Sequence, residues 1–204
     1  AKGSVLVEPS RVVIDAEARL DDMPARIYVV EPLDGSQTGR RQEVSLRVDD
    51  NTRDRLAPGL AGFLSGSAAV EMRSSDAGRH EIGVDLGASR LSVPWAGWSK
   101  GSGIPAMASF VMENSGVRTV LDDFALRGET FSVQGSLALA EGELQNARFH
   151  DVRLNRGDEF SVDIVRAGRG YSIDISGRSL DARSLVRHLT EEGDAGAKSV
   201  EGVP

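Results

Sequence analysis

The sequence predicts a mainly β protein built on a long antiparallel, up-and-down sheet with two short helices. Three observations carry that prediction. Between Val117 and Gly177 apolar and polar residues alternate in run after run, and period-2 alternation marks strands with one apolar and one wet face. The runs recur every eight to twelve residues with turn residues between them, which favours neighbours joined by short connections. The 3.6-residue period of a helix shows at only two places, near 51–57 and 181–190.

Each element follows from its local pattern. Val12 to Leu20 sets Ile14, Ala16, Ala18 and Leu20 against Asp15, Glu17 and Arg19. Asp21-Asp22 turns the chain, and Ala25 to Val30 returns with Ile27 and Val29 on one side. Glu31 to Arg41, with Pro32, Gly35 and Gly39, reads as a loop. Glu43 to Val48 is the next strand. Asp50-Asn51-Thr52 supplies a helix N-cap signal and Pro58-Gly59 a stop. Ser67–Met72 and Glu81–Leu86 read as a hairpin. The stretch from Leu86 to Gly103 is irregular and holds Pro94, Trp95 and Trp98. Strands follow at 106–113, 117–127, 130–139, 143–154, 159–166 and 170–177. Asp181 then caps a helix whose Ala182, Leu185, Val186 and Leu189 share one face. Residues 1–190 are read as one β segment with a possible sub-boundary near 60–66. Residues 191–204 are acidic and Gly-rich and read as a disordered tail or linker.

Composition bounds the chemistry. The 204 residues suffice to bury a core without a metal or disulfide staple. Net charge is −7, and only three of the 24 basic residues are lysines. Arginines scatter along the strands without forming a patch, which argues against nucleic acid as a partner. Cysteine is absent, which excludes disulfides, thiolate-bound zinc and thiol nucleophiles. The start, Ala1-Lys2-Gly3-Ser4, carries no signal-peptide core and reads as a segment of something longer.

No catalytic constellation emerges, and the chain is read as a non-enzyme with no cofactor and no metal site. His80, His150 and His188 lack partners at metal-ligand spacing and read as turn, bulge and surface residues. The pairs Asp21-Asp22, Asp49-Asp50 and Asp122-Asp123 are adjacent, so on a strand their carboxylates diverge. Gly168-Arg169-Gly170 precedes a strand, with Ile at 173, and so is a hairpin turn and not a phosphate loop. No Ser sits in a nucleophile elbow. Trp95 and Trp98 read as a plug at one end of the core, with an aromatic ligand contact as the alternative. The apolar strand face admits two readings on the same footing: an ordinary closed core, or an open trough for acyl chains.

Four stretches carry a family resemblance: Ala16 to Ile27 (AEARLDDMPARI), Arg55 to Gly66 (RLAPGLAGFLSG), Trp95 to Pro105 (WAGWSKGSGIP) and Ile175 to Leu185 (ISGRSLDARSL). Within the last, Gly177, Leu180, Asp181, Ala182 and Leu185 match best. Over most of residues 10–190 the chain resembles the AsmA-like family, nearest to its YhdP-type members. The resemblance implies a long, twisted sheet forming a half-open groove lined by apolar side chains. It also implies a periplasmic location, with attachment to the inner membrane through an anchor outside this segment. The implied function is non-catalytic conduction of phospholipid between inner and outer membranes, with neighbouring β repeats of the same longer chain as further partners. On that reading Phe131, Val133, Leu137, Leu139, Phe160, Val162, Ile164, Tyr171, Ile173 and Ile175 line the groove and touch acyl chains. The alternative is a closed-core scaffold or interaction module of the cell envelope.

Overall fold

The computed structural model describes residues 2–20, 23–35, 39–76, 79–168 and 170–179. Twelve strands form one open antiparallel sheet whose first and last strands do not pair with each other. In chain order they are β1 (Lys2–Glu8), β2 (Arg11–Leu20), β3 (Met23–Pro32), β4 (Arg41–Val48), β6 (Ala68–Asp76), β7 (Arg79–Asp85), β10 (Ala106–Ser115), β11 (Arg118–Gly128), β12 (Ser132–Ala140), β13 (Glu143–Arg153), β14 (Glu159–Ala167) and β15 (Gly170–Ser179). Their spatial order is also their sequence order. At about 4.8 Å per strand spacing the sheet extends roughly 50 Å from β1 to β15.

The numbers missing from that order belong to a small second sheet. β5 (Leu64–Gly66), β8 (Ser89–Val93) and β9 (Trp98–Lys100) pair antiparallel with β8 in the middle. They come from the connections at one end of the large sheet, the end where β4 stops and β6, β10, β12 and β14 begin. Short connections join most neighbouring strands at the opposite end, β3 and β4 being joined by the longer segment 33–40. The irregular stretch 86–103 therefore holds two short strands and a 3₁₀ turn, Pro94–Ala96. Its strands are too short to show alternation, so the pattern was invisible. The segment around 60–66 does not interrupt the large sheet, because β4 pairs β6 directly from Gln42↔Ser74 to Val48↔Ala68.

Helix α1 (Asp50–Leu56) begins one residue before the expected signal. Its N-cap is Asp49, whose carboxylate accepts from the Thr52 backbone N–H at 2.9 Å. Those hydrogen bonds hold the Asp49 carboxyl below its usual pKa. The half of the sheet from β10 to β14 carries repeated bulges, which bend strands and sharpen twist. One bulge places two residues, Asp122 and Asp123, opposite a single residue of β12, and Asp123 takes φ 52°. Glu141 and Gly142 both take positive φ, as a two-residue hairpin turn of the primed type requires. The expected helix at 181–190 and tail at 191–204 lie outside the described residues, as do Asp21-Asp22 and His188.

Candidate functional site

Cross-strand register decides which side chains share a face. Starting from β15, the rows Ile173↔Ile164↔Ala147↔Leu137↔Leu121↔Met112 and Ile175↔Val162↔Phe149↔Gly135↔Phe124 run across the sheet. The same face continues through Ile82 and Val84 of β7, Val70 and Met72 of β6, Val44 and Leu46 of β4, and Ile27 and Val29 of β3. It ends with Ile14 and Ala16 of β2 and Val5 of β1. All twelve strands thus contribute to one unbroken apolar face.

The opposite face is wet and ion-paired. Arg26 and Asp15 bond across β2 and β3 at 2.7 Å, Glu43 takes Arg41 at 2.6 Å and Arg73 at 3.1 Å, and Arg148 meets Asp163 at 2.6 Å. Hydrogen bonds from the arginines hold the Asp15 and Glu43 carboxyls below their ordinary pKa. Two recesses lie on this face: Asp15, Arg26, Arg41 and Glu43 line most of one, and the other mixes Glu71, Arg73, Glu81 and Asp123 with Ile82, Gly83, Ser109, Phe110 and Val111. Among the described residues no group of three or more His, Asp or Glu side chains could hold a metal ion.

The small sheet roofs one end of the apolar face. Trp98, 8% exposed, meets Phe131 edge-on with ring centroids 4.8 Å apart. Leu64, Leu91 and Val93 pack into the same cluster with Ala68, Ala106, Ala108, Val152, Leu154, Phe160 and Val162. Lys100 is buried there, its Nζ donating to the carbonyls of Leu86 and Ser89 at 2.6 Å each. Desolvation lowers the Lys100 pKa, with Asp85 acting the other way. Arg53 ties α1 to the roof by donating to the Leu64 carbonyl, while Asp50 accepts from the Gly66 N–H at 2.8 Å. Both charged side chains therefore act as braces holding the roof in place.

The ten expected lining residues all lie on this face, but in three environments. Phe131, Phe160 and Val162 are buried under the roof. Val133, Ile164 and Ile175 are half-buried and pack against the roofed cluster. Leu137 and Leu139 are half-buried beyond it, and Tyr171 and Ile173 are about half exposed toward the β15 edge. Sequence reading missed an aromatic ladder in the middle of the face. Phe110 and Phe124 stack at 6.3 Å, and Phe124 meets Phe149 edge-on at 5.9 Å. Only the pairing register across β10, β11 and β13 brings these three together, so no local pattern could announce them. Trp98 sits in the core as read.

Comparison with protein-family models, with curated proteins and with solved structures gave no match.

Proposed function

We propose that this chain is a non-catalytic lipid-binding segment whose apolar β face holds and conducts phospholipid acyl chains. The observation that carries the reading is a single apolar face running across twelve strands while a roof covers only one end of it. Each acyl CH₂ moved out of water onto such a surface gains about 0.8 kcal/mol, and this needs neither a reactive group nor a cofactor. Sliding along a continuous face leaves that gain nearly constant at each step. The resemblance of four sequence stretches to the AsmA-like family supports the same reading. It adds a periplasmic setting, an inner-membrane anchor elsewhere in a longer chain, and passage between inner and outer membranes.

The test is native mass spectrometry of the segment purified from a bacterial host, with lipid extraction. Wild type is expected to carry phospholipid, and a Leu137→Asp, Leu139→Asp double variant with an unchanged circular dichroism spectrum is expected to lose most of it. These two side chains lie away from the roof, so the change leaves the buried cluster intact. Wild type free of lipid and unable to bind a neutral apolar dye would favour a closed-core scaffold of the cell envelope. Among the described residues the sheet edges β1 and β15 have no partner strand, the feature that serves that second reading.

A further inference from the structure

The apolar face is not apolar to its limits. At the hairpin end, opposite the roof, its outward row turns polar over adjacent strands. Gln42 of β4 pairs with Ser74 of β6, and Ser74 pairs with His80 of β7. One further rung out, Asn114 of β10 faces Thr119 of β11. These positions lie in register with the apolar face, so they are not part of the ion-paired wet side. The groups are half-buried except Asn114, which is exposed. Ser74 Oγ and His80 Nδ1 share a 2.7 Å hydrogen bond, and Thr119 Oγ1 donates to Asn114 Oδ1 at 2.6 Å. The first bond fixes the imidazole and leaves its second nitrogen, Nε2, without a protein partner among the described residues. The Gln42 amide likewise has no protein hydrogen bond there.

Dimensions fit one class of occupant. From Ser74 to Ala68 along β6 the face carries Met72 and Val70, then passes beneath the roof. Six residues of strand span about 20 Å, against roughly 15 Å for the acyl depth of one bilayer leaflet. A row of hydrogen-bonding groups beside an aliphatic lane of that length complements a molecule with one polar end and one acyl end.

We propose that the Gln42–Ser74–His80 row is a head-group subsite. It receives the acceptor-rich oxyanion end of an acyl lipid, a phosphate or a carboxylate, while the chain lies along β4, β6 and β7 toward the roof. The proposal rests on the lipid-binding reading above and adds the orientation of the bound lipid and the residues that set it. Nε2 of His80 and the Gln42 amide donate to the head group, and Ser74 holds the ring in place. The subsite would make head groups line up along the hairpin rim as lipids pass from strand to strand.

The experiment is displacement of N-phenyl-1-naphthylamine, a neutral apolar dye, from the full segment. Competitors are lysophosphatidylglycerol, palmitate and hexadecanol. The variant is Ser74→Val with His80→Leu, which removes both partners of one hydrogen bond and so strands neither. A Gln42→Leu variant made separately tests the row without disturbing that pair. Both variants are expected to bind the dye as wild type does, yet to need at least tenfold more of the ionised competitor, with hexadecanol unchanged. A loss confined to lysophosphatidylglycerol assigns the row to phosphate, and a loss shared with palmitate assigns it to oxyanions generally. Equal displacement of wild type and variants by every competitor overturns the subsite while leaving the lipid-binding reading intact. Failure of wild type to bind dye or lipid overturns both.

Discussion

Single residues decide how closely this sheet can pack, and Gly135 is the sharpest case. It sits on the apolar face between Phe124 of β11 and Phe149 of β13. A Cβ added there would lie 2.1 Å from the Arg148 carbonyl oxygen and 2.8 Å from the Phe149 Cα. Both neighbours are backbone and cannot swing aside, so the strand pair itself would have to part. Gly135→Ala is therefore expected to destabilise by about 3 kcal/mol, the upper range for overpacking. It should show as a lower urea midpoint with an unchanged slope. Gly83, in β7, has nothing within 4 Å of an added Cβ and no positive φ. Gly83→Ala is expected to leave the midpoint unchanged or raise it slightly, because it removes unfolded-state freedom at no packing cost. Equal midpoints for the two variants would mean that the close strand approach at Gly135 yields without cost.

Among the elements, the three-stranded roof depends on one aromatic contact and two braced cations. Trp98→Ala removes the ring that meets Phe131 and is expected to cost about 3–5 kcal/mol. The roof is small and its strands are three to five residues long, so the loss should be local. Amide exchange is expected to accelerate across 89–100 while β2, β3 and β4 keep their protection. A uniform rise along the chain would show that roof and sheet open as one unit. The contrast between roof and sheet also explains what the sequence made legible. Long strands such as β2 and β11 repeat their alternation often enough to be read residue by residue. The Asp50-Asn51-Thr52 signal and Pro58 likewise locate α1 by local chemistry, one residue later than the Asp49 cap of the structure. β8 and β9 offer too few residues for a period, and their identity comes from packing on distant Phe131, Phe160 and Val162. β1 went unread because Val5, Leu6 and Val7 form an unbroken apolar triplet with no polar phase. His80 read as a turn residue because its pairing with Ser74 and Met112 spans six and 32 positions of chain.

At the scale of the whole molecule, the two edges that no described strand covers, β1 and β15, set how copies of this sheet can join. All neighbouring strands are antiparallel and there are twelve of them, so β1 and β15 run in opposite directions. A second copy set beside the first, facing the same way, would bring its β1 antiparallel to β15, and the apolar face would continue without a break. The same geometry would serve a neighbouring repeat. Natural edge strands are usually guarded by inward charges, prolines or bulges. Here β1 pairs β2 without a bulge, its charges are confined to Lys2 and Glu8 at its ends, and Val5 and Val7 are 66% and 68% exposed. On β15, Tyr171 and Ile173 are about half exposed. The contact is heterologous, so it does not close on itself and should give a ladder of species instead of a single dimer. Sedimentation velocity is expected to show mass increasing with concentration, and Ile173→Lys and Val5→Lys should each shift it toward monomer by charging opposite sides of one joint. A dimer that persists at all concentrations and ignores Ile173→Lys would instead place β1 against β1. The apolar face would then cross the twofold axis and stop after two copies, so repeated units of this sheet could not extend it further through β1.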